Sequence, residues 1–216
     1  MNLLELTNFT LTYPNKKKPV FAPVSFGLGE GESIALRGNS GAGKSSLLLS
    51  ICGLIPQSIP AEIAGELQLL GRLPCDFTQA ERANFVGMVF QNPETQLFCG
   101  TAELEVAFGL ENLCVAHDEM QARVQASLEL VGLWERRKES PNALSGGQKQ
   151  LLALACVLAL KPKLLLLDEA LSQLDEQAQE NMISVLCKLR KSGQAMLVVD
   201  HDNARCNALA DREVWL

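Results

Sequence analysis

The stretch Gly38-Asn39-Ser40-Gly41-Ala42-Gly43-Lys44-Ser45, with Ser46 behind it, fits the pattern G-x-x-x-x-G-K-[ST]. Glycines at these spacings let successive backbone N–H groups converge on phosphate oxygens. Lys44 brings a point charge to the β- and γ-phosphates, Ser45 a hydroxyl for Mg²⁺, and the helix that follows its positive end. A chance glycine-rich turn would not need the lysine and hydroxyl beyond it. The run Leu164–Leu167 ends in Asp168 and Glu169. A buried strand delivers Asp168 to the Mg²⁺ shell at its C-terminal end, and Glu169 follows as the general base for an attacking water. A third segment, Leu144-Ser145-Gly146-Gly147-Gln148, opens an apolar stretch. Its hydroxyl and glycine amides suit a γ-phosphate at a helix N-terminus.

These residues need a scaffold, and the hydrophobic pattern supplies one. Strand character runs over Leu3–Thr12, Val20–Leu28 and Ser33–Arg37, with a turn at Lys16–Pro19. The glycine loop then enters a helix from Lys44 to Gly53. A short strand over Gly65–Leu70 and a capping box, Thr78-x-x-Glu81, precede a buried strand at Phe85–Phe90. Thr101–Trp134 reads as helical, with Asp118 as an N-cap and Gly132 weakening the far end. Beyond it come a helix over Gly146–Leu160, a central strand at Leu164–Leu167, a helix over Gln177–Lys191, a strand at Ala195–Val199, a helix over Asn203–Ala210 and a strand at Glu213–Leu216. The expected fold class is α/β. A phosphate-loop core carries an antiparallel β subdomain and a helical insert at about 92–143, all within one nucleotide-binding domain over residues 1–216.

Composition narrows the partners. The net charge of −6 disfavours a grip on a nucleic-acid backbone, so no nucleic-acid partner is expected. The apolar runs Leu47–Ile55 and Leu151–Leu160 fall short of a bilayer, and the N-terminus lacks the basic and apolar regions of a signal peptide. A soluble cytosolic chain that meets a membrane only through a partner is the expectation. The seven cysteines are scattered without a CxxC pair, which reads as reduced thiols, mostly filling the core.

With LSGGQ beside the phosphate loop and the Leu-run acids, the chain resembles the ATP-binding cassette family over essentially its whole length. That resemblance implies ATP and Mg²⁺ as ligands and a second cassette subunit, identical or not, as partner. The Ser145–Gln148 segment of one subunit would close on nucleotide held by the other. It further implies that Tyr13 stacks on adenine, the alternative being a core aromatic. Gln91 would join Ser45 and Asp168 around the metal, His201 would contact the γ-phosphate and support Glu169, and Asp175 would lie in the loop communicating across the dimer. Catalysis would rest on Glu169, His201 and Lys44.

The segments Gln91–Phe98 and Glu105–Asn112 resemble the energy-coupling factor ATPases. These power uptake of vitamins or transition-metal ions with a transmembrane scaffold subunit and a substrate-binding membrane subunit. The resemblance implies a peripheral location on the cytoplasmic face of the cell membrane. Ala170-Leu171 replaces the family's usual Pro-Thr, Leu151 its arginine, and Asp200 the Thr or Ser before the histidine. A C-terminal dimerisation domain common in that branch is not part of the sequence. The chain either lacks it, is shortened, or is half of a fused pair. The rival readings are a soluble cassette protein acting on nucleic acid or ribosomes, and a small-molecule kinase of the phosphate-loop type.

Overall fold

A computed structural model describes residues 2–216. In chain order the elements are β1 (Asn2–Thr12), β2 (Val24–Gly29), β3 (Ser33–Arg37), α1 (Lys44–Ile51), β4 (Glu62–Leu69), α2 (Gln79–Ala83) and β5 (Val86–Val89). Then follow α3 (Ala102–Asn112), α4 (His117–Leu130), α5 (Gly146–Ala159), β6 (Leu164–Asp168), α6 (Glu176–Lys191), β7 (Ala195–Val199), α7 (Asn203–Leu209) and β8 (Arg212–Trp215).

Two sheets organise these elements. β2, β1 and β4 form an antiparallel sheet in that order, and β5-β6-β7-β3-β8 form a parallel one. β3 lies near the start of the chain but belongs to the parallel sheet, between β7 and β8. The parallel order puts the C-terminal ends of β3, β6 and β7 side by side, which is where ligands sit in open α/β sheets.

The four-leucine run explains how the layers are joined. Leu164 and Leu166 of β6 pack with the antiparallel sheet and α1, while Leu165 and Leu167 pack with the helices α3 to α6. Successive side chains leave a strand on opposite faces, so a strand covered on both sides must be apolar at every position. All five β6 residues are buried.

The elements follow the sequence pattern closely, with differences that have local causes. β2 begins at Val24 rather than Val20, because Pro23 has no N–H to donate to a ladder. The helical stretch after Thr101 is two helices: Cys114 adopts φ 53° and breaks it between α3 and α4. Asp118 is not the N-cap. That place falls to Ala116, which gives no side-chain cap, and Asp118 sits in the first turn, where an anion favours the helix dipole. Thr78 and Glu81 do form a capping box on α2. The cysteines are free and mostly core-associated, as expected: Cys206 is buried and Cys52, Cys156 and Cys187 pack partly buried against the core, while Cys75 and Cys114 are exposed and Cys99 is intermediate. No helix among the described residues is long and apolar enough to cross a membrane.

Candidate nucleotide site

The loop between β3 and α1 carries the first set of residues. Gly41 and Gly43 hold φ 77° and 93°, a region L side chains avoid. At Gly43 a Cβ would also lie 2.4 Å from Val20 Cγ1, so glycine is required on both counts. α1 has no side-chain cap at its start, which leaves its first N–H groups to an outside acceptor. Lys44, 6% exposed, donates from Nζ to the carbonyls of Gly38 at 2.9 Å and Asn39 at 3.0 Å. Its charge is thereby held over the loop.

β6 brings the acids to the same place. Ser45 Oγ donates to Asp168 Oδ1 at 3.1 Å. Burial holds the Asp168 carboxyl above its ordinary range; the Ser45 bond and Lys44 charge pull the other way, and Glu169 adds to the rise. Glu169 adopts φ 51°, a left-handed conformation costing a non-glycine residue about 1–3 kcal/mol. Its N–H bonds to Val199 O at 2.9 Å, so the turn is anchored to the end of β7. The carboxylate lies between two partners: His201 Nε2 is 2.8 Å from Oε1, and Gln91 Nε2 donates to Oε2 at 3.3 Å. Gln91 also donates to Ser172 Oγ at 3.2 Å.

Tyr13 sits at the edge of the loop, its hydroxyl donating to Ser46 Oγ at 2.9 Å. A cavity of about 470 Å³ is lined by Tyr13, Lys16, Lys18, Gly43, Lys44 and Glu169 among others. Its volume suits a small ligand of nucleotide size. The structure therefore gathers Tyr13, Lys44, Ser45, Ser46 and Glu169 around one cavity, with Asp168 hydrogen-bonded to Ser45 and with Gln91 and His201 hydrogen-bonded to Glu169 behind it. Oxygen donors from Ser45 and Asp168, with Gln91 nearby, match the preference of Mg²⁺ for one or two protein oxygens alongside phosphates.

Ser145, Gly146, Gly147 and Gln148 are elsewhere, and none of them lines this cavity. They form a capping box at the exposed start of α5: Gln148 N–H donates to Ser145 Oγ at 3.3 Å, and Ser145 N–H to Gln148 Oε1 at 3.0 Å. Around Gly146 a Cβ would meet nothing within 4 Å. Asp175 caps α6, accepting from Ala178 N–H at 2.8 Å.

Some contacts at this site carried no sequence signal of their own, although Gln96 and Glu105 lie in the two segments singled out by resemblance. Gln150, 1% exposed on α5, donates to Phe90 O at 2.8 Å and ties the LSGGQ helix to the strand before Gln91. Gln96 clasps the same strand, through Phe90 N–H and Met88 O. Buried Glu105 accepts from the N–H groups of Phe98 and Cys99. The three departures from the family pattern are also placed: Leu151, Ala170 and Leu171 pack into the helical-side core, and Asp200 is buried.

The profile of the family described as ABC transporter matches residues 21–172. The energy-coupling factor transporter ATP-binding protein of Levilactobacillus brevis is 38% identical over 202 residues, covering 93% of this chain and 71% of that protein. Among solved structures, cbiO1 from Clostridium perfringens, part of the ABC transporter complex cbiONQ, superposes with a TM-score of 0.86 at 26% identity, covering 99% and 84% of the two chains. A dimeric ATP-binding cassette in a post-hydrolysis state, bound to ADP and Pi, gives 0.82 at 28% identity over 99% of this chain and 94% of that one.

Proposed function

The chain belongs to the ABC transporter family and is an ATPase, and from that premise we propose that it is the motor subunit of an importer of the energy-coupling factor type. The observation carrying the catalytic reading is the convergence of Ser45, Asp168, Glu169, Gln91 and His201 at the ends of β3, β6 and β7. The importer reading rests on likeness to the Levilactobacillus protein and to cbiO1.

ATP enters the cavity with its base against Tyr13 and its phosphates along Gly38–Ser45. Lys44 and the N–H groups at the start of α1 hold the β- and γ-phosphates. Ser45, Asp168 and Gln91 would hold Mg²⁺, which would supply neutralisation of the phosphate charge. Glu169 takes a proton from water as the water oxygen bonds the γ-phosphorus and the bond to the leaving ADP oxygen breaks. His201 and Gln91 fix the carboxylate that receives this proton.

The second half of the site comes from another cassette subunit. The Ser145–Gln148 turn, exposed at Ser145 and Gly146 and free of this chain's own cavity, covers the γ-phosphate in the facing copy. Hydrolysis then releases the pair. Within each chain, Gln150 on the LSGGQ helix and Gln91 share the Phe90 strand end, so closure moves the segment that follows. That segment exposes Phe98, Leu104 and Phe108, the two phenylalanines packed edge to face with centroids 4.8 Å apart. Exposed apolar clusters of this kind mark interaction surfaces, and the transmembrane scaffold subunit is the proposed occupant. The transported solute, a vitamin or transition-metal ion, is chosen by a separate substrate-binding membrane subunit. The working place is the cytoplasmic face of the membrane.

Affinity isolation of the tagged chain from detergent-solubilised membranes tests this reading. Two co-isolated integral membrane subunits are the expected result. Recovery with nucleic acid, lost as salt is raised, and with no integral partner would overturn it.

A further inference from the structure

Arg37 ends β3 one residue before the phosphate loop, and it is 7% exposed. A guanidinium that deep must be matched by acceptors around its fork. Nε donates to Glu213 Oε1 of β8 at 3.1 Å. One terminal nitrogen meets the Asp200 carbonyl at 3.1 Å and Cys206 Sγ at 3.3 Å, and the other donates to Asn203 Oδ1. Asp200, Asn203 and Cys206 all lie in the turn and helix that carry His201.

The contacts continue beyond this group. Asp200 is 3% exposed; its Oδ1 accepts from Asp202 N–H at 2.8 Å and faces Arg205 at 3.4 Å. Arg205 in turn donates to Leu171 O at 3.0 Å, two residues past Glu169. A chain of buried and part-buried polar contacts therefore joins the root of the phosphate loop to the backbones presenting both His201 and Glu169. His201 itself, half exposed, bonds to Glu169 through one side-chain contact. Its place depends on the turn beneath it.

We propose that Arg37 is a positioning residue for hydrolysis, its guanidinium pinning the Asp200–Asn203 turn to the base of the phosphate loop so that His201 meets Glu169. The proposal rests on the catalytic reading given above for Glu169 and His201. It adds that nucleotide held by the loop and the histidine behind the base share one mechanical anchor. A lysine keeps the charge but is a single point on a flexible stem, and cannot span acceptors on β8, the turn and α7 at once.

The test measures kcat and KM for ATP in Arg37→Lys, His201→Ala and the double variant of the full chain. Asn203→Ala is added as a milder variant that removes one acceptor and leaves the buried charge. Since the chain has only two histidines, a His117→Gln background leaves His201 as a single imidazole NMR signal. Arg37→Lys is expected to lower kcat roughly tenfold with KM within about twofold. The loss should not accumulate in the His201→Ala background, because both changes remove one contact. The His201 signal should move in Arg37→Lys and Asn203→Ala. Losses that multiply in the double variant, a rise in KM in place of the kcat loss, or an unmoved His201 signal would overturn the proposal while leaving the catalytic site standing. Wild-type turnover in His201→Ala would overturn both.

Discussion

Ser45 Oγ donates to Asp168 Oδ1 at 3.1 Å, although 123 residues separate the two. One ends the phosphate loop and the other ends β6. The bond shows that β3–α1 and β6 are set in the sheet with a hydroxyl and a carboxylate in direct contact. Burying this carboxylate costs free energy that the Ser45 bond and the Lys44 charge only partly offset, which holds its pKa above the ordinary range.

That cost has a sign that can be checked. Asp168 has a raised folded-state pKa, so protonation stabilises the fold at low pH and the benefit is lost as pH rises through the folded value. At neutral pH the charged side chain is therefore a burden on the ligand-free protein. Asp168→Asn should melt at least as high as the parent at pH 7 without nucleotide, with the advantage shrinking as pH falls toward the ordinary carboxylate value of 3.8. The added stability from ATP with Mg²⁺ should be lost in the same variant. Thermal unfolding with and without nucleotide across pH reads both effects.

Tyr13 is tied to Ser46 by its hydroxyl, but its proposed work is done by the ring. Tyr13→Phe should keep ATP affinity near the parent value. Tyr13→Ala should weaken it by about 1–2 kcal/mol, roughly tenfold or somewhat more. Equilibrium binding of a fluorescent ATP analogue separates the two, and equal affinity for both variants would return Tyr13 to a packing role.

Glu169 lies in a left-handed conformation with partners on both carboxylate oxygens. Glu169→Gln keeps the shape and removes the base. Turnover should fall by about 10²–10⁴-fold, the range general-base catalysis supplies, with ATP binding intact. Phosphate release under single-turnover conditions measures it.

Gly146 has open space where a Cβ would go, so Gly146→Ala costs this chain almost nothing in packing. If the turn serves a facing copy, the same change intrudes on that copy's γ-phosphate. The expected outcome is an unchanged melting temperature and unchanged ATP binding by single chains, with ATP-driven pairing lost. Analytical ultracentrifugation with and without ATP checks this.

Much of this architecture was legible in the residues. A glycine loop entering a helix, a strand apolar at every position, and LSGGQ at a helix start each encode their geometry locally, and the boundaries of β3 and β7 match their hydrophobic runs. What was not legible depends on contacts made far along the chain. Asp118 has the chemistry of an N-cap, but the break at Cys114 set the N-cap of α4 at Ala116, two residues ahead of it. Gln150 gave no pattern, since a buried glutamine earns its place only from the Phe90 carbonyl 60 residues away. Arg37 read as the end of a strand, and its partners on α7 and β8 become visible only when the parallel sheet brings those elements beside β3.

The central claim is that nucleotide is enclosed by two chains, each lending the other its Ser145–Gln148 turn. Light scattering of Glu169→Gln at saturating ATP and Mg²⁺ tests it most directly. A mass of twice one chain, falling back to one chain when Ser145→Arg is added, is the result expected. A single-chain mass under those conditions would contradict it.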